Sequence, residues 1–129
     1  MSLLLDTHIL FWFVARAPEL PSALADEIRS RRDVFVSVAS AWEMSIKISI
    51  GKWPEAVDLL DRFEETAEAF EFQILQINLA HVRRSGMLPL AHRDPFDRIL
   101  AAQALVEGLT VVSADPALAA LGAPVMRYQ

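Results

Sequence analysis

Short apolar runs alternate with amphipathic stretches along the whole chain. Runs of three to six mostly apolar residues are typical of buried strands, and apolar side chains repeating every three or four residues are typical of helices. We predict strands at 2–5, 34–36, 72–77 and 110–112, and a weak one at 125–127. We predict helices at 7–14, 22–32, 41–50, from 54 through an acidic stretch, and at 78–85, 95–106 and 116–120. This alternation predicts an α/β fold with a parallel sheet covered on both faces.

Length and composition favour one domain spanning 1–129. The chain has 129 residues, of which 53% are hydrophobic, enough for one sizeable core. It contains no cysteine, which excludes disulfides, thiolate zinc sites and a thiol nucleophile. The apolar run at 9–15 is far shorter than the ~20 residues of a membrane helix. The first basic residue is Arg16, so we expect no charged leader of a secretory signal. We expect a soluble protein of the cytoplasm.

Four acidic residues stand where a predicted strand gives way to a helix: Asp6, Glu43, Asp97 and Asp115. The carboxyl ends of parallel strands open onto one crevice, so acids placed there by distant segments meet in space. Such a cluster needs a cation, and hard oxygen ligands without cysteine favour Mg²⁺ or Mn²⁺ over zinc. The commonest use of such a site is to activate water against a phosphate.

Each of these acids also has a purely structural interpretation. Asp6 can cap the first helix, and Asp115 followed by proline can cap another. The segment from Ser40 to Glu43 matches a capping box, and Asp94 before a proline caps the helix that contains Asp97. Four ionised acids together would repel one another unless a cation were present, which favours the metal site. Capping and metal binding are compatible, because a capped carboxylate is a rigid ligand.

The net charge of −5 is unevenly distributed. Seven acids and one base lie between Glu55 and Glu71, and the rest of the chain holds ten acids against eleven bases. We interpret the acidic segment as a solvated helix face. If four of the ten acids bind metal, the remaining surface becomes basic, which suits a nucleic-acid partner. The bases concerned are Arg29, Arg31, Arg32, Lys47, Lys52, Arg83, Arg84, Arg93 and Arg98.

Four segments resemble a known family in order and spacing. They are LLLDTH at 3–8, SVASAWE at 37–43, LPLAHRDPFDR at 88–98 with the AQA that follows, and EGLTVVSAD at 107–115. The chain resembles the PIN-domain ribonucleases, specifically the VapC toxins of bacterial toxin–antitoxin pairs. The resemblance runs nearly end to end. It implies a three-layer α/β/α sandwich around a parallel sheet of about five strands.

The resemblance also implies an activity, Mg²⁺-dependent cleavage of RNA by a metal-activated water. The family's acidic quartet falls on Asp6, Glu43, Asp97 and Asp115, with Thr7 and Ser113 as supporting hydroxyls. The resemblance leaves open whether Asp94 joins the site. We expect no histidine to be required as a base. Arg93 and Arg98 follow in the same segment and are candidates for contact with RNA phosphates.

Two apolar regions point to partners. Phe11, Trp12 and Phe13 are consecutive and cannot all face one core from a helix, and a similar excess runs from Ile46 to Trp53. Either these residues are buried against neighbouring helices or they form an interface. The resemblance implies a cognate antitoxin and a homodimer as partners.

Two alternatives remain open. In one, the same fold is a non-catalytic module that binds RNA or protein, and its acids only cap helices. In the other, the chain is a metal-dependent phosphatase, which the absence of a DxD motif after the first strand disfavours. A phosphoryl-receiver domain would need a lysine late in the chain, but the only lysines are Lys47 and Lys52.

Overall fold

A computed structural model describes residues 1–90, 92–126 and 128. Five parallel strands form one sheet in the order β3-β2-β1-β4-β5. The strands are β1 (Leu3–Leu5), β2 (Val34–Ser37), β3 (Gln73–Leu75), β4 (Thr110–Val112) and β5 (Val125–Met126). All five predicted strands are present. Arg127, the predicted end of the last strand, lies outside the described residues.

Helices connect the strands and cover both faces of the sheet. They are α1 (Thr7–Ala15), α2 (Ser22–Ser30), α3 (Val38–Ser49), α4 (Val57–Asp61), α5 (Phe63–Phe70), α6 (Leu79–Gly86), α7 (Pro95–Glu107) and α8 (Ala117–Ala120). The predicted acidic helix is divided into a 3₁₀ turn at Pro54–Ala56 and the separate helices α4 and α5. No helix in the described part of the chain is long and apolar enough to cross a membrane.

The central strand β1 is buried on both of its faces. Leu3, Leu4 and Leu5 are all fully buried, which explains why this strand reads as a continuous apolar run without alternation. Leu3 and Leu5 pack in one cluster with Phe13, and Leu4 packs in a second cluster with Leu100. Successive strand residues point to opposite faces, so the two clusters are the two cores of a three-layer α/β/α sandwich, as predicted.

The helix α3 begins three residues earlier than the sequence predicts. The side chain of Ser37 caps it by accepting a hydrogen bond from the Ala39 amide at 2.9 Å. The predicted capping box from Ser40 to Glu43 is therefore wrong, because both residues lie inside the helix. Ser37 ends β2 and caps α3 at once, and its hydroxyl also donates to Oε1 of Gln103 at 2.5 Å. Strand and helix thus join without a loop, which turns Glu43 toward the carboxyl edge of the sheet.

The acidic segment forms a solvated helix face, and the aromatic run of α1 is buried or partly buried. All seven acids from Glu55 to Glu71 are exposed, as expected of a solvated helix face. Phe13 is buried in the core, and Phe11 and Trp12 are partly buried against it. By contrast, apolar side chains on α3 and just after it remain exposed. The exposed fractions of Trp42, Ile46 and Ile50 are 46%, 42% and 58%.

Candidate functional site

A cavity of about 400 Å³ opens at the carboxyl edge of the sheet. It lies where β1 has β2 on one side and β4 on the other, the point in an open α/β sheet where the strand order reverses. Its lining residues are Asp6, Thr7, His8, Trp12, Glu43, Lys47, Asp94, Asp97, Ala114 and Asp115. All four predicted acids, which are far apart in sequence, therefore line one cavity.

Asp6 is one of the two acids of the cavity that are almost completely buried, together with Glu43. It follows β1 directly and caps α1, because its Oδ1 accepts a hydrogen bond from the Ile9 amide at 2.8 Å. Only 8% of its surface is exposed, and this burial raises the pKa of Asp6 from 3.8 to about 6. The negative charge of Asp97 adds slightly to the rise, while a hydrogen bond from Ser113 and the Ile9 amide oppose it. An ionised Asp6 is thus held here at a free-energy cost.

Glu43 is paired with a lysine of its own helix. Nζ of Lys47 lies 2.6 Å from Oε2 of Glu43, one turn along α3. The Glu43 side chain is 7% exposed and that of Lys47 is 33% exposed, so the pair lies at the wall of the cavity. Thr7 and Ser40 join α1 to α3 through a 3.0 Å hydrogen bond between their hydroxyls. Lys47 therefore belongs to the acidic cavity rather than to a free basic surface.

Asp97 and Asp94 have different surroundings at the start of α7. Oδ1 of Asp94 accepts hydrogen bonds from the amides of Phe96 and Asp97, at 2.9 and 3.4 Å, which confirms its predicted role as a helix cap. Nε2 of His92 lies 2.8 Å from Oδ2 of Asp97 and donates to it. Burial raises the pKa of Asp97, as do the charges of Asp94 and Asp115, while the His92 hydrogen bond lowers it.

Asp115 lies at the exposed mouth of the cavity. Its Oδ1 accepts a hydrogen bond at 2.9 Å from the amide of Ala117, the first residue of α8, but the N-cap position of that helix is Pro116, so the prediction that Asp115 caps it is wrong. Its own amide donates to Oγ of Ser113 at 3.0 Å. Ser113 is fully buried and also hydrogen-bonds Asp6, so one hydroxyl links the acids that follow β1 and β4. Thr7 and Ser113 both lie beside the acids as predicted, although only Thr7 lines the cavity.

The two arginines predicted to contact RNA differ sharply. The guanidinium of Arg98 donates to four backbone carbonyls, those of Ser85, Leu88, Pro89 and His92, at 2.6 to 3.0 Å. Arg98 is therefore an anchor for the segment that carries His92, and the prediction of phosphate contact has no support there. Arg93 is exposed, and that prediction stays open for it.

Part of the predicted basic surface is neutralised by neighbouring acids. Arg29 pairs with Asp26, Arg31 with Glu27 and Asp33, and Arg32 with Glu71. These pairs leave the net charge as counted, because Asp26, Glu27 and Asp33 are among the ten acids already included, but they reduce the number of bases available to contact phosphates.

The family model for the PIN domain matches residues 3–124. This chain belongs to the PIN domain family. Its fold is similar to that of VapBC2 from Rickettsia felis bound to promoter DNA, with 14% identity, 100% of both chains covered and a TM-score of 0.73. It is similar to FitAcB from Neisseria gonorrhoeae, with 20% identity, 98% of this chain and 97% of the other covered and a TM-score of 0.71. It is also similar to DNA-bound VapBC from Salmonella typhimurium, with 17% identity, 98% of each chain covered and a TM-score of 0.67. Comparison with curated proteins found no match.

The donors of this PIN domain suit a hydrated divalent ion. Among residues 1–90, 92–126 and 128, no three His, Asp or Glu side chains are grouped closely enough to hold a metal directly. Glu43 and Asp97 are instead engaged with Lys47 and His92. Mg²⁺ keeps several waters and usually binds proteins through only one or two carboxylates. A cavity lined by carboxylate oxygens, one of them with its pKa raised by burial, fits such an ion.

Sequence reasoning missed three side chains that line or border the cavity of this PIN domain. Lys47 was counted as surface charge, although its spacing of four residues from Glu43 was a usable signal for a helical ion pair. His92 and His8 were given no role. No local pattern could have assigned His92 to Asp97, because the loop between them must fold first.

Proposed function

We propose that this PIN domain is a Mg²⁺-dependent endoribonuclease that acts as the toxin of a toxin–antitoxin pair. The observation that carries the proposal is that Asp6, Glu43, Asp97 and Asp115, from four separate segments, line one cavity at the carboxyl edge of the sheet. Burial of Asp6 and Asp97 raises the pKa of each, and a bound cation would relieve that cost. Capping alone does not require four carboxylates to converge.

In this proposal Asp6, Glu43 and Asp97 would hold a hydrated Mg²⁺ or Mn²⁺ ion, partly through its waters, and Asp115 at the mouth would orient a water or a second ion. When bound, such an ion lowers the pKa of its water and offsets the charge that develops on a phosphate. The chain fixes the donors in advance. Asp6 is held by the Ile9 amide and by Ser113, and His92 orients Asp97 through Oδ2. Preorganised donors need no rearrangement at the moment of reaction.

The proposed partners are an antitoxin and a second copy of the chain. Solved structures of similar fold include VapBC and FitAB assemblies, which supports a partner protein here. Trp42, Ile46 and Ile50 form an exposed apolar strip on α3 that a partner would bury. Such a toxin acts in the cytoplasm, where its RNA substrate is.

The proposal is tested with purified protein and a single-stranded RNA. We expect cleavage with Mg²⁺ or Mn²⁺ and none in EDTA. Asp6→Asn should abolish cleavage, because the amide keeps the helix cap but loses the ligand charge. Asp58→Asn, an exposed acid on α4, is the matched control and should cleave as wild type does. Undiminished cleavage in excess chelator would refute the metal mechanism.

The non-catalytic binding module has one observation in its favour. Asp6 and Asp94 each cap a helix, Asp115 accepts a hydrogen bond from the Ala117 amide, and Glu43 and Asp97 each have an internal partner, so every acid already has a structural role. Expression without the antitoxin separates the two functions. A ribonuclease toxin should arrest growth, and Asp6→Asn should abolish the arrest. Normal growth with folded, Mg²⁺-binding protein present would favour the module.

A further inference from the structure

An aromatic wall borders the acidic cavity on the α1 side. His8 and Trp12 both line the cavity, one helical turn apart. Their ring centroids lie 5.9 Å apart with the planes tilted by 55°. Trp53, which follows α3, stacks on His8 with centroids 4.9 Å apart and planes within 19° of parallel. The wall thus consists of His8 and Trp12, with Trp53 supporting His8.

The His8 ring is held in place by stacking, but it is neither buried in the core nor hydrogen-bonded to the described residues. Trp12 and Trp53 pack against the hydrophobic core, whereas His8 is exposed. Within the described part of the chain, the ring nitrogens of His8 form no hydrogen bond. Lys47 contacts Trp53 in turn, with its Nζ 5.8 Å from the centre of the Trp53 ring. A flat ring fixed on one side and exposed beside a cavity is a surface on which another flat ring can stack.

We infer that the His8–Trp12 wall is a base-binding subsite, on which an unpaired base next to the scissile phosphate stacks. This inference rests on the proposed ribonuclease function and adds its substrate class, single-stranded RNA. A phosphodiester held at the carboxylates carries its own base to the adjoining wall of the same cavity. Bases of single-stranded RNA are free to stack on aromatic side chains, whereas a base inside a duplex already has neighbours on both faces.

The variants His8→Ala and His8→Phe isolate the stacking contribution. Both remove the imidazole and any charge that it carries, but only His8→Phe keeps a flat ring. Stacking of a base on an aromatic side chain corresponds to about a 5- to 100-fold change in affinity. We expect His8→Ala to raise KM for a single-stranded RNA by about 5- to 30-fold and His8→Phe to restore most of it. We expect kcat to change little, because His8 does not contact the reacting atoms.

Binding gives a readout that does not depend on cleavage. A single-stranded RNA with 2-aminopurine beside the cleavage position is titrated with wild type, His8→Ala and His8→Phe in EDTA. We expect quenching of the base fluorescence by wild type and by His8→Phe, and little quenching by His8→Ala. An abasic nucleotide at the same position should weaken binding to wild type and leave the affinity of His8→Ala unchanged.

The outcomes separate this inference from the proposed function. Mg²⁺-dependent cleavage with the same KM and quenching in all three proteins would overturn the subsite and leave the nuclease standing. Quenching that depends on His8 without any cleavage would leave the subsite standing and refute the nuclease. Equal effects of His8→Ala on single-stranded and duplex RNA would overturn the subsite. So would an effect confined to the affinity for the antitoxin, since the wall would then be a protein contact.

Discussion

Replacing Asp6 with Asn removes a buried negative charge and keeps the oxygen that caps α1. Burial raises the pKa of Asp6 from 3.8 to about 6 in the folded protein. A shift of this size corresponds to about 3 kcal/mol of unfavourable free energy for the ionised form at pH 8. The amide of Asn carries no charge and does not titrate, and Asn caps helices about as well as Asp. Asp6→Asn should therefore stabilise the protein in the absence of divalent ions.

The pH dependence of the stability difference shows whether the buried charge of Asp6 causes it. A carboxyl with a raised pKa binds more protons when folded than when unfolded, so wild type loses stability as pH rises from about 4 to about 6. The difference between Asp6→Asn and wild type should be about 0.5 kcal/mol at pH 4 and approach about 3 kcal/mol above pH 7. Urea unfolding in EDTA at a series of pH values measures it, with Asp58→Asn as the control that shows no such trend.

Mg²⁺ should reduce the stability advantage of Asp6→Asn over wild type. A ligand that binds only the folded state stabilises it in proportion to the logarithm of its concentration, so millimolar Mg²⁺ should stabilise wild type and leave Asp6→Asn unchanged. A free-energy difference that does not vary with pH would refute burial of the charge as its cause. Equal stabilisation of both proteins by Mg²⁺ would show that Asp6 does not contribute to the ion site.

The other predictions concern the remaining side chains around the cavity. Lys47→Met should destabilise the metal-free protein by roughly 1–3 kcal/mol, because it leaves buried Glu43 unpaired, and should tighten Mg²⁺ binding measured by calorimetry. Asp94→Asn should keep stability and most activity, whereas Asp97→Asn should keep the fold and lose activity by orders of magnitude; equal loss would mean that both serve the ion. Arg98→Ala should speed hydrogen exchange at residues 85–90 and 92 and lower kcat. A phosphate-binding role would instead raise only KM and leave exchange unchanged.

Several features of the fold follow from short sequence patterns alone. The order of strands and helices was predictable because each element carries its own periodicity and end signals. The α7 helix is an example, with Asp94 as cap, Pro95 in the first turn and Gly108 at a positive φ of 70° after its end. The placement of Asp6 and Asp115 at one edge of the sheet was also predictable, since residues beyond the carboxyl ends of parallel strands share that edge.

Choices between equivalent local signals were made by the tertiary structure. Ser37 and Ser40 both suit a helix cap, and Ser37 prevails because its position at the end of β2 places it beside Gln103, far along the chain. The tertiary structure also decided between two arginines. Arg93 and Arg98 look alike in sequence, yet the loop before α7 surrounds only Arg98 with carbonyl oxygens.

The sequence by itself determined which residues are candidates for the site, and the tertiary structure decided their partners. The four acids can be read from the chain, and so can the helix starts at Asp6 and Asp94, because capping is a local property. That Lys47 lies against Glu43 in the cavity, that His92 donates to Asp97, and that His8 stacks on Trp53 depends on the packing of separate segments. Hydrogen bonds and stacking act over a few ångströms, so these contacts exist only once the sheet and its helices bring those segments together.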